Sequence, residues 1–158
     1  MAIKKWFVCM SLVLLVVSWG AVTVLAADSV EGYWKTIDDK TNEVKSIVKI
    51  WQEDGTLKGR IEKLFPKPGE DPDPVCDKCK GDKKDKKILG MVFMWKFQKE
   101  DDEWVNGKIL DPENGKVYHC NLELADNGAK LNVFGYIKVL FKIGRTQTWL
   151  RASDEDVK

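Results

Sequence analysis

The sequence predicts an all-β domain: eight antiparallel strands, connected up-and-down and closed into a barrel, behind a removable N-terminal leader. Three observations predict it. Short runs rich in Val, Ile, Tyr, Trp and Thr recur after Asp28, several of them alternating apolar and polar residues with period two. Asp-Gly, Asn-Gly and Pro-containing turns separate these runs. No run of helical periodicity comes between them, so successive strands join by hairpins rather than by crossovers.

The leader comes first. Lys4 and Lys5 precede an apolar stretch over residues 6–25, and the small residues Ala26 and Ala27 follow before Asp28. A basic start, an apolar centre and a small-residue exit make a secretory signal. Residues 1–26 are therefore expected to be cut away, with Val24-Leu25-Ala26 as the cleavage site. Residues 27–158 are expected to work outside the cytoplasm, periplasmic or secreted, as one domain. An uncleaved anchor is the alternative, since the stretch approaches the roughly 20 residues that a spanning helix needs. The small-residue exit and the lack of a basic stop-transfer flank favour cleavage, after which no membrane insertion is expected. Cys9 lies inside the apolar stretch, which argues against lipid attachment.

Each strand follows from its own pattern. Residues 33–37 form the first, and the polar stretch 38–42 turns the chain. Residues 46–52 carry Val48 and Ile50 on one face, and Asp54-Gly55 is a hairpin signal. In residues 56–64, Leu57, Gly59 and Ile61 alternate with Lys58, Arg60 and Glu62, so one face is buried and one is wet. Residues 65–87 hold four of the five prolines and are expected to be a long loop, because proline cannot donate to a ladder. Strands resume at 91–98 and 104–110. Asp111-Pro112-Glu113-Asn114-Gly115 is a tight turn, with proline preset for its second position. Residues 116–124 alternate, with Tyr118, Cys120, Leu122 and Leu124 sharing a face. Residues 130–137 and 144–151 complete the set, and the acidic tail from Ala152 is expected to fray. Eight strands in about 130 residues exceed a comfortable open sheet, which favours closure; a flattened sandwich is the alternative.

Several segments resemble the exported bacterial family catalogued as domain of unknown function 2147. They are Gly32-Tyr33-Trp34-Lys35-Thr36-Ile37-Asp38, Gly59-Arg60-Ile61, Cys76-Asp77-Lys78-Cys79, the stretch from Ile109 to Tyr118, and Gly144-Arg145-Thr146-Gln147-Thr148-Trp149-Leu150-Arg151. The resemblance implies a lipocalin-like barrel and no particular activity. Trp95 and Lys138 depart from it, standing where small residues are expected. A looser similarity to lipocalins points the same way. Gly32-x-Trp34 opens the domain and Arg151 closes it, and a basic residue stacked on that indole would seal one barrel end. Gly32, Trp34 and Arg151 are thus structural.

Few residues point to chemistry. Removing the leader takes two lysines from the 26 basic residues, leaving 24 against 25 acidic ones, a net charge of −1. That balance gives no long-range field to draw in nucleic acid or anionic lipid. Cys76-x-x-Cys79 has three readings: a disulfide stapling the long loop, half of a metal site, or a redox centre. An oxidising compartment and the lack of a following helix favour the disulfide. Cys120 reads as a buried thiol and His119, the one histidine, as a surface residue on the opposite face. No nucleophile elbow or phosphate loop is present, and the aspartates fall in turns.

No catalytic residue, metal or cofactor is assigned, and the chain is expected not to be an enzyme. The aromatics favour a packed interior. A barrel of eight strands is still just wide enough for one small ligand. In that case Met91, Phe93, Trp95, Phe97 and Tyr118 would line an apolar pocket. The expected function is an exported binding module for an apolar or amphipathic small molecule. A structural or protein-interaction component of the cell envelope is the alternative.

Overall fold

The computed structural model describes residues 29–158; the leader and Cys9 lie outside the described residues. The eight strands are β1 (Gly32–Ile37), β2 (Val44–Glu53), β3 (Thr56–Leu64), β4 (Val92–Glu100), β5 (Glu103–Asp111), β6 (Lys116–Ala125), β7 (Lys130–Lys138) and β8 (Lys142–Arg151). They form a closed antiparallel barrel in sequence order. Closure depends on β1 meeting β8, with Trp34 opposite Arg151 and Lys35 opposite Leu150. The barrel, not the sandwich, is the architecture.

Turn chemistry sets the tight hairpins. Asp54 and Gly55 both take positive φ, 51° and 74°, the backbone that a two-residue turn between twisted strands demands. At the β5–β6 turn Gly115 has φ 69°, and a Cβ there would lie 2.0 Å from the Lys78 carbonyl oxygen. That glycine lets the long loop press against the turn.

The tail differs from its expected frayed state. Residues Asp154–Val157 form one helical turn, α1, begun by a reciprocal cap between Ser153 and Asp156. Lys35 pairs with Asp156 at 2.6 Å, and Lys63 donates to the Asp156 carbonyl. These two lysines flank Ile47 across the sheet, and Ile47 is fully buried although it falls on the outward face. Both lysines reach to Asp156, so the turn is tied to the strands on either side of this isoleucine. Hydrogen bonds to Lys35 and to Ser153 hold the Asp156 carboxyl down at about 2.

The long loop is also ordered. It carries an isolated bridge between Val75 and Lys87 and a 3-10 turn over Gly81–Lys83. Cys76 and Cys79 are disulfide-bonded and buried, and the backbone N–H of Cys76 donates to the Lys86 carbonyl.

Candidate functional site

The two halves of the barrel are filled differently. At the end where the strands β2–β3, β4–β5 and β6–β7 turn, Trp34, Leu57, Met94, Phe97, Leu122 and Leu131 are almost wholly buried and close the interior. Phe97 lies against Gly107 so tightly that a Cβ there would fall 2.2 Å from the ring. Arg151 caps this end. Its guanidinium carbon is 4.1 Å from the Trp34 ring centroid, and it donates to the carbonyls of Ser29, Glu31 and Gly128. Trp34 in turn donates its indole N–H to Val30. Gly32 has φ 119°, and a Cβ there would crowd the Arg151 guanidinium at 3.3 Å.

The other half is hollow. A cavity of about 1130 Å³ opens between the β1–β2, β3–β4, β5–β6 and β7–β8 connections. The inward positions are small: Thr36, Ser46 and Gly135 line it. A Cβ on Gly135 would meet nothing within 4 Å. The deep wall is apolar, formed by Ile61, Phe93, Ile109, Val133 and Trp149. The packed interior expected from the aromatics therefore holds for one half only. Large residues meet glycine at the capped end, whereas small residues face one another near the mouth.

Polar groups enter the wall in two strips. Along β8, Trp149 and Gln147 are 3.4 Å apart through the indole N–H and the amide oxygen, and Gln147 also donates to Asp39 at 2.9 Å. Arg145 pairs with the same Asp39 at the mouth. Across the opening, Asn114 donates to Asp111 at 2.8 Å and to the Tyr118 hydroxyl at 3.2 Å. Beyond these strips the rim is charged, and ion pairs join Lys45 to Glu113 and Lys67 to Asp38. The backbone N–H groups of Thr41 and Lys40, joined by Lys67, hold the Asp38 carboxyl well below the usual carboxylate range.

The expected pocket residues divide. Phe93 and Tyr118 line the cavity; Met91, Trp95 and Phe97 do not. Period-two alternation would put residues 91, 93, 95 and 97 on one face, but irregularities in β4 break it. The register against β3 shifts on both sides of Gly59, and Lys96 takes φ 67°. Met94 thereby turns inward and Phe97 sinks into the capped end. Trp95 is left half-buried with the Lys83 ammonium 5.7 Å from its ring centroid. Met91 is buried beneath the long loop's return, where its N–H bonds to Ile88.

Sequence reasoning missed the wall made by Gln147, Trp149 and Val133. The alternation of β7 and β8 carries the signal for all three. Cys120 is buried, and burial pushes its thiol up. His119 stays off the cavity wall. It stacks on Tyr136 at 5.3 Å, and burial together with Lys108, Lys138 and Lys142 lowers its pKa. Among the described residues, no group of three or more His, Cys, Asp or Glu is placed to hold a metal ion.

Comparison with known proteins agrees with this geometry. A family model described as "Uncharacterized protein conserved in bacteria (DUF2147)" matches residues 32–151. No curated protein matches the chain. Among solved structures, protein HP1028 from Helicobacter pylori, described as belonging to the lipocalin family, is similar. The two share 20% identity over 82% of this chain and 86% of that chain, with a TM-score of 0.68. At that identity the likeness shows the fold alone: a lipocalin-like barrel.

Proposed function

The chain belongs to the DUF2147 family of bacterial proteins, and from that premise and the half-hollow barrel we propose that it is a binding module for one small apolar or amphipathic molecule. The observation that carries the reading is the cavity itself, about 1130 Å³ with an apolar floor and a polar rim. That is slightly above the range of about 300–1,000 Å³ usual for pockets that take small ligands, and such pockets are mostly apolar with a few orienting polar groups. The apolar part of the ligand would lie against Phe93, Val133 and Trp149. Its polar end would face Gln147, Tyr118 and Asn114.

The reading is of a carrier without catalysis. Among the described residues His119 lies off the wall, and the Thr36 and Ser46 hydroxyls of the wall bond to each other. We propose that it works outside the cytoplasm, a reading that the leader-like residues 1–26 and the Cys76–Cys79 disulfide support.

The test uses protein exported from a bacterial host. Native mass spectrometry and solvent extraction should recover a co-purified small molecule. The fluorescent fatty acid 11-(dansylamino)undecanoic acid should bind at one saturable site. Gly135→Leu places a side chain in open space, so it should abolish that binding while leaving the fold intact. A protein with no bound species and no saturable probe binding would overturn the reading.

A further inference from the structure

The β7–β8 connection breaks the rule that hairpin tips are polar. Val139, Leu140 and Phe141 form its tip and are 66%, 95% and 68% exposed. Ile137 and Ile143, opposite one another just below, are each half exposed and line the cavity mouth. Five apolar side chains thus run from the tip into the opening. The other face of the same hairpin is basic. Lys138 and Lys142 are paired across the ladder, and the Lys142 ammonium sits 4.9 Å from the Tyr136 ring centroid.

One row lower on that face, Lys108 contacts His119 at 3.2 Å, and His119 stacks on Tyr136. Lys108, Lys138 and Lys142 form no ion pair among the described residues. Arg145, next along β8, is held by Asp39. A chain of near-neutral total charge therefore gathers uncompensated positive charge beside its most exposed apolar residues.

We infer that this hairpin tip is a peripheral docking site for an anionic phospholipid bilayer, setting the cavity mouth against the lipid. The charge decides the occupant. Apolar side chains that enter the headgroup boundary with lysines flanking them match an anionic lipid surface, where each lysine adds attraction. The match does not require a membrane-spanning segment. Ile137 and Ile143 continue the tip inward, so an amphipathic molecule leaving the bilayer meets apolar surface all the way to the cavity. The docking stands on the tip and its lysines, not on the cavity being filled.

Exported protein, with its start established by intact mass, is sedimented with phosphatidylglycerol/phosphatidylcholine vesicles and with phosphatidylcholine vesicles alone. Wild type should pellet with the anionic vesicles and remain in solution with the neutral ones. Leu140→Asp combined with Phe141→Asp should weaken binding by about tenfold or more. Leu140 packs against almost nothing, so unchanged circular dichroism is expected. Lys138→Gln and Lys142→Gln should each weaken it by about fivefold.

Gly135→Leu, which blocks the cavity, should bind vesicles as wild type does, and this separates a failure of docking from a failure of ligand binding. Several results would overturn the inference: no vesicle binding by wild type, equal binding to neutral vesicles, or tip variants that bind as wild type. Sedimentation velocity showing that the tip variants dissociate a dimer, without change in vesicle binding, would also overturn it and make the tip a contact between copies.

Discussion

Arg151 lies flat enough over Trp34 to put its guanidinium carbon 4.1 Å from the indole centroid, while its nitrogens satisfy three backbone carbonyls. The two residues also face each other across the β1–β8 ladder. Stacking and ladder therefore act at one point. Trp34→Ala should cost about 3–5 kcal/mol, the usual range for emptying a buried aromatic site. Arg151→Ala should cost about 1–3 kcal/mol, from the lost cation–π contact and the carbonyls left without a donor. Urea unfolding followed by tryptophan fluorescence measures both. A loss under 0.5 kcal/mol for both, on the order of ordinary surface substitutions, would refute the capping role.

The two halves of the barrel should answer oppositely to added volume. Gly107→Ala drives a methyl group into the Phe97 ring and should destabilise by about 1–3 kcal/mol. Gly135→Ala meets open space and should leave stability within about 0.5 kcal/mol of wild type. Chemical denaturation of the pair checks the contrast.

The three cysteines after residue 26 should differ in reactivity. A thiol reagent should label none of them in the native protein, one (Cys120) after unfolding without reductant, and all three after unfolding with it. Replacing Cys76 and Cys79 by serine should cost about 2 kcal/mol or less, because the closed loop is short. The loss should appear as faster hydrogen exchange in the long loop and at Gly115, not across the barrel.

His119 should titrate below its usual 6.5, through burial and then the charges of Lys108, Lys138 and Lys142. The fold favours the neutral ring, so the unfolded chain takes up the proton first. The His119 contribution to stability is intact above about pH 6.5 and is lost as pH falls below it. Lys108→Gln removes one repelling charge and should raise the titration midpoint, as read from the imidazole proton shifts by NMR. An unchanged midpoint would show that the lysine charge does not reach the ring.

Asp156 has the opposite sense. Its carboxyl titrates at about 2 against an ordinary 3.8, so the docked α1 turn is complete above pH 3.8 and weakens as pH falls towards 2. Asp156→Asn should release the turn already at neutral pH and expose Ile47. Faster amide exchange at Ile47 and Lys35 would register the change.

Much of the architecture was legible because turn chemistry and alternation act locally. Asp54-Gly55 and Asn127-Gly128 mark their hairpins by residue type alone, and the observed strands match the expected ones to within two residues. The β4 wall was not legible. A residue such as Lys96 in a left-handed conformation has no sequence mark, yet it moves Trp95 and Phe97 away from Phe93.

The cavity was hidden for another reason. Alternation says which side chains point inward, but not whether they meet at the axis. Gly135 facing emptiness and Gly107 facing Phe97 look alike in the chain. The apolar tip escaped because residue type alone does not say that Val139, Leu140 and Phe141, lying between the expected strands 130–137 and 144–151, stay exposed. The α1 turn escaped because four residues carry too little periodicity.

The β1–β8 seam also governs how the protein comes into being. Trp34 and Arg151 stand at the beginning and the end of the barrel's course, so the ring cannot be sealed until nearly all of it is available. A nascent chain stopped before Arg151 would present two raw strand edges to its neighbours, ready to add foreign strands. Synthesis must therefore run ahead of assembly, and the hazard of sticking to other chains is greatest just before the last strand arrives.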